Sequence, residues 1–341
     1  MNSTHTIRFA NLNDIEGIMT FIKKYWNNTH ILANNIELFK YQYVSDETVN
    51  FALAINNVTG AIEGINGFIP YSKERDQYAA YALWKTIKTA NPALGIEIMQ
   101  FIKQNTNFKM FFSNGINEKT INLHKFLGYH VDVLKHYYRL NNIDNYNIAK
   151  IVDKRILPVS NKREYSLKQI DGFSAFMNTV SLNYANNFIP HKDLWYLERR
   201  FFNHPIYKYK VYAIIDSSDL KTETFLFMRE EKTESGIILR IVDFIGNIEK
   251  LSHISYEIQK LIDSYNYEYI DFYCYGISND IMESAGFIYK GSTDKNIIPN
   301  YFEPFVQENI NIIFFSEHID RLCLFKADGD QDRPSLIKSE R

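Results

Sequence analysis

The stretch YAAYALWKTIK at 78–88 opens the part of the chain that decides the fold. It is apolar and aromatic, as a buried strand is. After a break at 89–95, the run IEIMQFIKQN at 96–105 has apolar residues at nearly helical spacing. A second short apolar run, FKMFF at 108–112, precedes NEKTINLHKFLGY at 117–129. These patterns predict a strand, a glycine-containing turn, a helix, a second strand and a second helix.

The last of these runs predicts an amphipathic helix that ends at Gly128, because glycine readily takes the left-handed conformation that closes a helix. The apolar residues predicted to face inward are Ile121, Leu123, Phe126 and Leu127. His124 lies among them. It is either a surface histidine of this helix or a residue that takes part in chemistry, and the pattern leaves both interpretations open.

The turn at 89–95 is suited to a pyrophosphate. Backbone amides at a helix N-terminus lack intrahelical partners and carry a partial positive charge. Pro92 is tolerated near a helix start, and Ala93 and Gly95 keep bulky side chains away from an approaching phosphate. A single glycine after an apolar run is also what an ordinary turn contains, so both interpretations stand.

The segment ANPALG at 90–95 resembles the CoA-pyrophosphate loop of the GNAT acyltransferase superfamily, Arg/Gln-x-x-Gly-x-Gly/Ala. Ala90 and Ala93 stand here in place of the Arg/Gln and the first glycine. The segment at 117–129 resembles the second CoA segment of that family, in which an Asn opens a helix that closes on Leu-Gly-Phe/Tyr. His124 stands where the family often has a tyrosine.

The resemblance implies acyl-CoA as co-substrate, direct attack of an amine on the thioester, and oxyanion donors from backbone amides at the end of the first strand. It implies no metal. The residues it assigns to CoA and the oxyanion are Lys85, Thr86, Ile87, Ala93, Leu94, Gly95, Ile96 and Asn117. His124 is predicted to protonate the departing thiolate, because histidine titrates near neutral pH. The predicted base is His30, with Glu63 and Glu303 as alternatives.

Composition narrows the class of protein. The chain has 341 residues, is 45% hydrophobic and 23% charged, and has a formal net charge of -2, all typical of a globular protein. A near-neutral chain without basic clusters is not expected to bind nucleic acid or a membrane surface. Cys274 and Cys323 form neither a disulfide framework nor a metal motif. Without an apolar leader or a bilayer-length run, the protein is expected to be cytoplasmic.

The chain is long enough for two domains, and its order of elements repeats. The resemblance covers residues 5–140, and NDIMESAGF at 279–287 is similar to the helix that ends at Gly128. We therefore predict an α/β (α+β) protein with two tandem GNAT-like domains, each a mixed, mostly antiparallel sheet flanked by helices. The predicted divisions are an acyl-CoA domain at 1–142, a linker at 143–165 and a C-terminal domain at 166–341 that contributes to acceptor binding.

Several residues outside the CoA segments are predicted to bind the acceptor. They are Trp84, Asn300, Tyr301 and Glu303. The tail KADGDQDRP at 326–334 is either a solvated extension or a ligand-binding loop. Its three aspartates do not form an EF-hand, which needs a terminal glutamate and flanking helices.

A further resemblance is carried by the segments at 28–33, 83–85, 91–95 and 298–305 and by the Asp-rich tail. Through them the whole chain resembles tandem acyltransferase-like proteins encoded with bacterial surface-polysaccharide enzymes. That resemblance implies transfer of an acyl group from acyl-CoA to the amine of a nucleotide-linked (dTDP or UDP) amino sugar. One alternative is a peptidoglycan-bridge-type aminoacyltransferase, which would want a basic surface for tRNA. Another is a non-catalytic ligand-binding module. The sequence leaves the oligomeric state open.

Overall fold

The computed structural model describes residues 4–89, 91–159, 163–181, 188–216 and 221–335. The strands are β1 His5–Ala10, β2 Val44–Ser45, β3 Thr48–Asn56, β4 Ile62–Pro70, β5 Tyr78–Thr86, β6 Met110–Asn114, β7 His130–Val133, β8 Lys135–Leu140, β9 Tyr165–Ile170, β10 Lys210–Asp216, β11 Phe225–Lys232, β12 Ile237–Ile245, β13 Tyr269–Tyr275, β14 Ile288–Tyr289, β15 Tyr301–Phe302, β16 Phe305–Val306, β17 Ile313–Ser316 and β18 Leu324–Phe325. The helices are α1 Ile15–Tyr25, α2 Ile31–Asn34, α3 Ile36–Tyr43, α4 Leu94–Gln104, α5 Ile121–Phe126, α6 Phe173–Thr179, α7 Leu194–Leu197, α8 Ser255–Tyr265 and α9 Asn279–Ser284.

Two large mixed sheets form the molecule. The first has the order β1-β3-β4-β5-β6-β17-β7, and the second has the order β14-β8-β13-β12-β11-β10-β9. Among the described strands, each sheet has one parallel pair at its centre, β5 with β6 and β12 with β13. The other pairs are antiparallel. The predicted α/β (α+β) class, with mixed, mostly antiparallel sheets flanked by helices, is confirmed.

Each sheet is completed by a strand from the other half of the chain. β7 ends at Val133 in the first sheet, and after Leu134 the chain enters the second sheet as β8, between β13 and β14. Near the C-terminus β17 returns to the first sheet and pairs with β6 and β7. The predicted division into domains at 1–142 and 166–341 therefore does not coincide with the division into sheets.

The predicted order of strand, turn, helix, strand and helix over 78–129 is found in the structure as β5, α4, β6 and α5. The segment at 167–178 combines a strand and a helix: β9 ends at Ile170, and α6 begins at Phe173. Six residues of β9 pair with β10, and Gly172 has a φ of +86°, which separates strand from helix. Pairing with an existing sheet outweighs the local helix propensity.

One apolar core is continuous through both halves. It includes Phe112 and Leu134 from the first half and Phe227 and Tyr273 from the second. Cys274 and Cys323 are buried free thiols. No helix in the described ranges is long and apolar enough to span a bilayer.

Candidate active site

A cleft opens where β5 and β6 separate. The two strands pair only from Tyr78 to Ala80, and the Ser113 hydroxyl donates to the Tyr81 carbonyl at 3.1 Å just beyond. The cleft encloses about 1040 Å³ including its mouth. Its lining residues are Trp26, Asn66, Tyr81, Ala82, Leu83, Trp84, Met99, Ser113, Asn114, Gly115, Ile116, Asn117, Thr120, His124, Phe315, Asp330, Gln331 and Arg333.

A bulge in β5 shapes this wall. Leu83 has a φ of +50°, which is uncommon outside glycine, and the β4–β5 register shifts beside it, between Ile65 and Gly67. Two β5 residues, Leu83 and Trp84, thus lie opposite Asn66 of β4. A bulge next to a separating strand re-aims backbone groups into the space between strands.

The predicted oxyanion donors lie just beyond the part of β5 that lines the cleft. The cleft is lined by Tyr81 to Trp84 and not by Lys85, Thr86 or Ile87. The Ile87 amide donates to the Glu63 carbonyl at 2.9 Å, so it is already used by β4. Because successive amides of a strand point to opposite edges, only the Thr86 amide of these three points away from β4. The bulge that precedes these residues is not visible in the sequence.

The predicted pyrophosphate loop precedes α4, as expected, although Ala90 lies outside the described residues. Asn91 organises it: its Oδ1 accepts from the Ala93 amide at 2.9 Å, and its Nδ2 donates to both carboxylate oxygens of Glu97 at 3.0 Å. Within the described chain, the amides of Gly95 and Ile96 have no acceptor. Two free amides at a helix N-terminus suit an anion, but the negative charge of Glu97 in the same turn repels an anion.

Trp84 lies between the first turn of this helix and the cleft. Its Nε1 donates to the Gly95 carbonyl at 3.0 Å, and a Cβ at position 95 would lie 2.9 Å from the indole Cζ2. A glycine is therefore required at position 95 because the indole of Trp84 packs against its backbone, and not only to leave room for a phosphate. Trp84 lines the cleft, as its predicted contact with substrate requires.

His124 of α5 is 1% exposed and projects into the cleft. Its ring stacks on Phe315 of β17 at 4.1 Å and lies 5.6 Å from the Trp84 ring. Neither ring nitrogen has a hydrogen-bond partner among the described residues. Burial lowers the pKa of His124 to about 4. The histidine is thus neutral at pH 7, which contradicts the expectation that it titrates there, and it is not a surface residue.

Asn117 has the capping role that its position indicates. Its Oδ1 accepts from the Lys119 amide at 3.0 Å and caps a 3₁₀ turn, Glu118–Thr120, that leads into α5. The side chain also lines the cleft. Capping occupies the oxygen, and the amide nitrogen stays available to a ligand.

Sequence reasoning missed two asparagines. Asn66 is fully buried on β4, lines the cleft, and has no partner for Oδ1 or Nδ2 within the described ranges. Asn114, at the end of β6, donates to the Phe325 carbonyl at 2.9 Å, while its Oδ1 is without a partner there. Buried polar atoms are normally satisfied, so unsatisfied ones facing a cavity indicate a ligand site. The only signal was a polar residue between two glycines in an apolar strand, Gly64 to Gly67.

The predicted bases are poorly placed to accept a proton. His30 Nδ1 accepts from the Leu32 amide at 3.2 Å and caps α2, which leaves the proton of the neutral ring on Nε2. Burial, with a smaller effect from nearby Arg333, lowers the pKa of His30 to about 3. Glu63 accepts from Asn56 at 3.0 Å and lies 2.6 Å from His5 Nε2. Neither residue lines the cleft.

Comparison with solved structures identifies the architecture. A GCN5-related N-acetyltransferase from Anabaena variabilis has a TM-score of 0.55 over 91% of this chain and 72% of its own, at 10% identity. A conserved protein of unknown function from Enterococcus faecalis, described as a "probable N-acyltransferase", has a TM-score of 0.54 with the same coverages and identity. The fold is that of the GCN5-related N-acetyltransferases. No protein-family model matches the sequence, and no curated protein matches it significantly.

Two further pockets adjoin the cleft of this GNAT fold. We call the first the arginine pocket. Including the open solvent at its mouth it measures about 510 Å³, and it is lined by Tyr41, Gln42, Ser45, Asn50, Ile69, Pro70, Trp195, Tyr196, Arg199, Arg200, Gly329, Asp330, Asp332 and Arg333. The lysine pocket measures about 340 Å³ including the open solvent at its mouth, and it is lined by Tyr207, Arg229, Glu231, Asn300, Tyr301, Phe302, Glu303, Lys326, Gln331, Asp332, Arg333 and Ser335. No cluster of His, Cys, Asp and Glu suited to a metal occurs in the described ranges.

The predicted acceptor residues are therefore divided between two pockets. Asn300, Tyr301 and Glu303 line the lysine pocket, whereas Trp84 lines the cleft. Lys326 Nζ donates to Asn300 Oδ1 at 2.7 Å, and burial together with Arg240 lowers the pKa of Lys326 to about 7.

The C-terminal tail separates the three pockets. Asp330 lines the cleft and the arginine pocket, Gln331 the cleft and the lysine pocket, and Asp332 the arginine and lysine pockets, while Arg333 lines all three. Asp332 is 1% exposed and Asp328 fully buried. The tail is an internal wall rather than a solvated extension.

Proposed function

We propose that the protein is an acyl-CoA-dependent N-acyltransferase. The observation that supports this most directly is the cleft between β5 and β6, in which His124 and Asn66 present buried polar atoms without partners in the described chain. A cleft with a polar and apolar lining at the parallel strand pair of a GNAT fold fits a ligand that is itself partly polar and partly apolar, as a pantetheine thioester is. The description of the Anabaena neighbour as an N-acetyltransferase agrees with this chemistry.

In this proposal the thioester lies along the cleft and the pyrophosphate lies near the amides of Gly95 and Ile96. The acceptor amine attacks the thioester carbonyl, the oxygen becomes negative, and the sulfur leaves. Asn66 Nδ2 stabilises the oxyanion because it is fully buried and has no other acceptor in the described ranges. His124, neutral at pH 7, donates its N–H to the departing sulfur. Holding both reactants in line supplies much of the acceleration.

For the acceptor we propose the amine of a nucleotide-linked amino sugar. The arginine pocket supports this because it combines aromatic rings with cationic side chains beside the cleft: Tyr41, Trp195, Arg200 and Arg333. Guanidinium groups suit a diphosphate, and aromatic rings suit a nucleobase. The arginine pocket shares Asp330 and Arg333 with the cleft, so an acceptor held there has its amine beside the thioester.

Thiol release tests both parts of the proposal. Acetyl-CoA and longer acyl-CoAs are incubated with a panel of dTDP- and UDP-linked amino sugars, and the products are weighed by mass spectrometry. We expect thiol release with one sugar class and a mass gain equal to the acyl group. Binding of acyl-CoA without transfer to any sugar would contradict the proposed acceptor. Failure to bind any acyl-CoA would contradict the enzyme and favour a non-catalytic module.

A further inference from the structure

The segment from Asp328 to Asp332 is fixed at its first end by a buried network. Asp328 Oδ1 lies 2.9 Å from Lys192 Nζ and accepts from the Tyr71 hydroxyl at 3.0 Å. Its Oδ2 accepts from the Phe325 amide at 2.7 Å, and the Gly329 amide donates to the Tyr71 oxygen at 2.8 Å. Lys192 also contacts Asp243 of β12 at 2.5 Å. The segment is thus bound to both halves of the molecule.

The second end is fixed equally firmly. Asp332 accepts from Arg229 Nη2 at 2.7 Å through one carboxylate oxygen and from the Tyr209 hydroxyl at 2.9 Å through the other. Arg200 donates to its backbone carbonyl at 2.5 Å. Two of the three aspartates of this segment therefore have both carboxylate oxygens occupied by hydrogen-bond or ion-pair partners within the protein.

Asp330, between these two ends, is different. Its side chain is 14% exposed and lines both the cleft and the arginine pocket. Its Oδ2 accepts from Arg333 Nε at 3.2 Å, and its Oδ1 accepts no hydrogen bond from the described part of the chain. No other carboxylate lines both spaces in the described ranges. A rigid segment thus presents one half-occupied carboxylate where the two spaces meet.

We propose that Asp330 binds the ammonium group of the acceptor and accepts its proton. This role rests on the proposed N-acyltransferase function. The acceptor arrives as R–NH₃⁺, one proton passes to the Asp330 carboxylate, and the nitrogen lone pair forms the C–N bond to the thioester carbonyl. The intermediate then collapses: the C–S bond breaks, its bonding pair leaves on the sulfur, and the second proton of the attacking nitrogen passes to this thiolate, which gives the amide and the free thiol. Arg333 holds the other oxygen of Asp330 and so directs Oδ1 toward the amine.

The location of Asp330 explains why an amine and not an alcohol would be favoured. A carboxylate attracts a cation before it removes a proton, and a hydroxyl group offers no positive charge to attract. The class of acceptor recognised at this position is a primary amine that is protonated in solution, carried by the molecule that occupies the arginine pocket.

The test compares wild-type protein with Asp330→Asn and Asp330→Glu, using Asp320→Asn as the control because Asp320 is 90% exposed. We expect Asp330→Asn to lower kcat/KM for the amine by about 10²-fold or more at pH 7, with unchanged affinity for acyl-CoA. The deficit should shrink as pH rises, because more of the amine is then already unprotonated in solution. Asp330→Glu should restore part of the activity. A second variant, Asp330→Ser, repeats the measurement should the asparagine fail to fold.

Three outcomes separate the possibilities. An Asp330→Asn enzyme within twofold of wild type at every pH would overturn the role of Asp330 alone. A loss of activity that does not change with pH and accompanies lost acyl-CoA binding would also overturn it, since that is a structural effect. A wild-type protein that releases no thiol with any amine would overturn the proposed function itself.

Discussion

His124 and Asn66 offer the cleft polar atoms that no described residue satisfies. Leaving such atoms buried costs about 1–3 kcal/mol each, so a ligand that pairs with them regains this free energy. His124 also shows how burial sets protonation, because desolvation keeps its ring neutral at pH 7. A neutral imidazole is still a hydrogen-bond donor, and that is the form in which we expect it to assist the departing sulfur.

Substituting His124→Phe should lower kcat by about 10²-fold, because an aromatic ring of similar shape keeps the stacking on Phe315 but removes the donor. Affinity for acyl-CoA should change little. Steady-state kinetics and calorimetric binding measure the two effects separately. His130→Phe is the matched control, since that histidine lies on β7 with its side chain 34% exposed. Unchanged turnover in His124→Phe would remove this residue from the mechanism.

A second prediction at this scale concerns acid stability. The pKa of His30 is lowered by burial from an ordinary 6.5 to about 3, so the unfolded chain binds its proton more readily than the folded protein. Its contribution to stability is complete above pH 6.5 and is lost as pH falls toward 3. When the pH falls from 7 to 5, protonation of His30 in the unfolded chain should lower the free energy of unfolding by about 2 kcal/mol.

The variant His30→Asn tests this, because asparagine retains an acceptor for the Leu32 amide but does not titrate. Urea unfolding at pH 7 and at pH 5 should show a smaller loss of stability in His30→Asn than in wild type. Equal losses in the two proteins would show that His30 is not the source of the pH dependence.

The arrangement of β5, Trp84 and the first turn of α4 belongs to the scale of elements. The indole of Trp84 packs against Gly95 and so fixes the distance between α4 and β5. Because the free amides of Gly95 and Ile96 lie in this turn, the position of Trp84 also sets where an anion can bind relative to the cleft.

Substituting Gly95→Ala should therefore lower stability by about 1–3 kcal/mol and weaken acyl-CoA binding, since the new methyl displaces the indole. In the double variant Gly95→Ala/Trp84→Phe, part of the stability and part of the acyl-CoA affinity should be recovered, because phenylalanine lacks the second ring that the new methyl group would contact. Thermal unfolding and binding of the single and double variants give the comparison. Gly17→Ala in α1 is a suitable control, as its Cβ would meet only the flexible end of Ile62. Full activity in Gly95→Ala would argue against this packing.

At the scale of the whole molecule, the exchange of β8 and β17 makes each sheet depend on the other half of the chain. Without the strand that it receives from the other half, each sheet would be interrupted, since β17 lies between β6 and β7 and β8 lies between β13 and β14. The continuous core and the fixed segment Asp328–Asp332 add further contacts between the halves. We therefore expect the halves to unfold as one unit, although tandem domains commonly unfold separately.

Single-tryptophan proteins provide the measurement. One variant keeps only Trp84, in the first half, and the other keeps only Trp195, in the second half, with the remaining tryptophans changed to phenylalanine. Urea unfolding of each variant is followed by tryptophan fluorescence and by circular dichroism. In each variant the fluorescence midpoint, which reports one half, should coincide with the circular-dichroism midpoint, which reports the whole molecule. Two clearly separated transitions within either protein would contradict cooperative unfolding.

The sequence by itself determined the elements and their class. Long apolar runs such as Ile237–Ile245 specify buried strands, and Gly128, with a φ of +85°, ends its helix as predicted. The sequence also indicated two copies of one fold. It assigned His124, Asn117 and Trp84 to the predicted site, and all three line the cleft. These features follow from local periodicity and turn chemistry, which the order of residues contains directly.

Only the tertiary structure decided which face of α5 is buried. Phe126, expected inside, is 85% exposed, while His124 faces the cleft, because the neighbouring strand and Phe315 cover that side. It also decided the bulge at Leu83, the exchange of strands at Leu134, and the position of Asp330 between two pockets. Each depends on contacts between residues far apart in the chain, which local pattern does not specify.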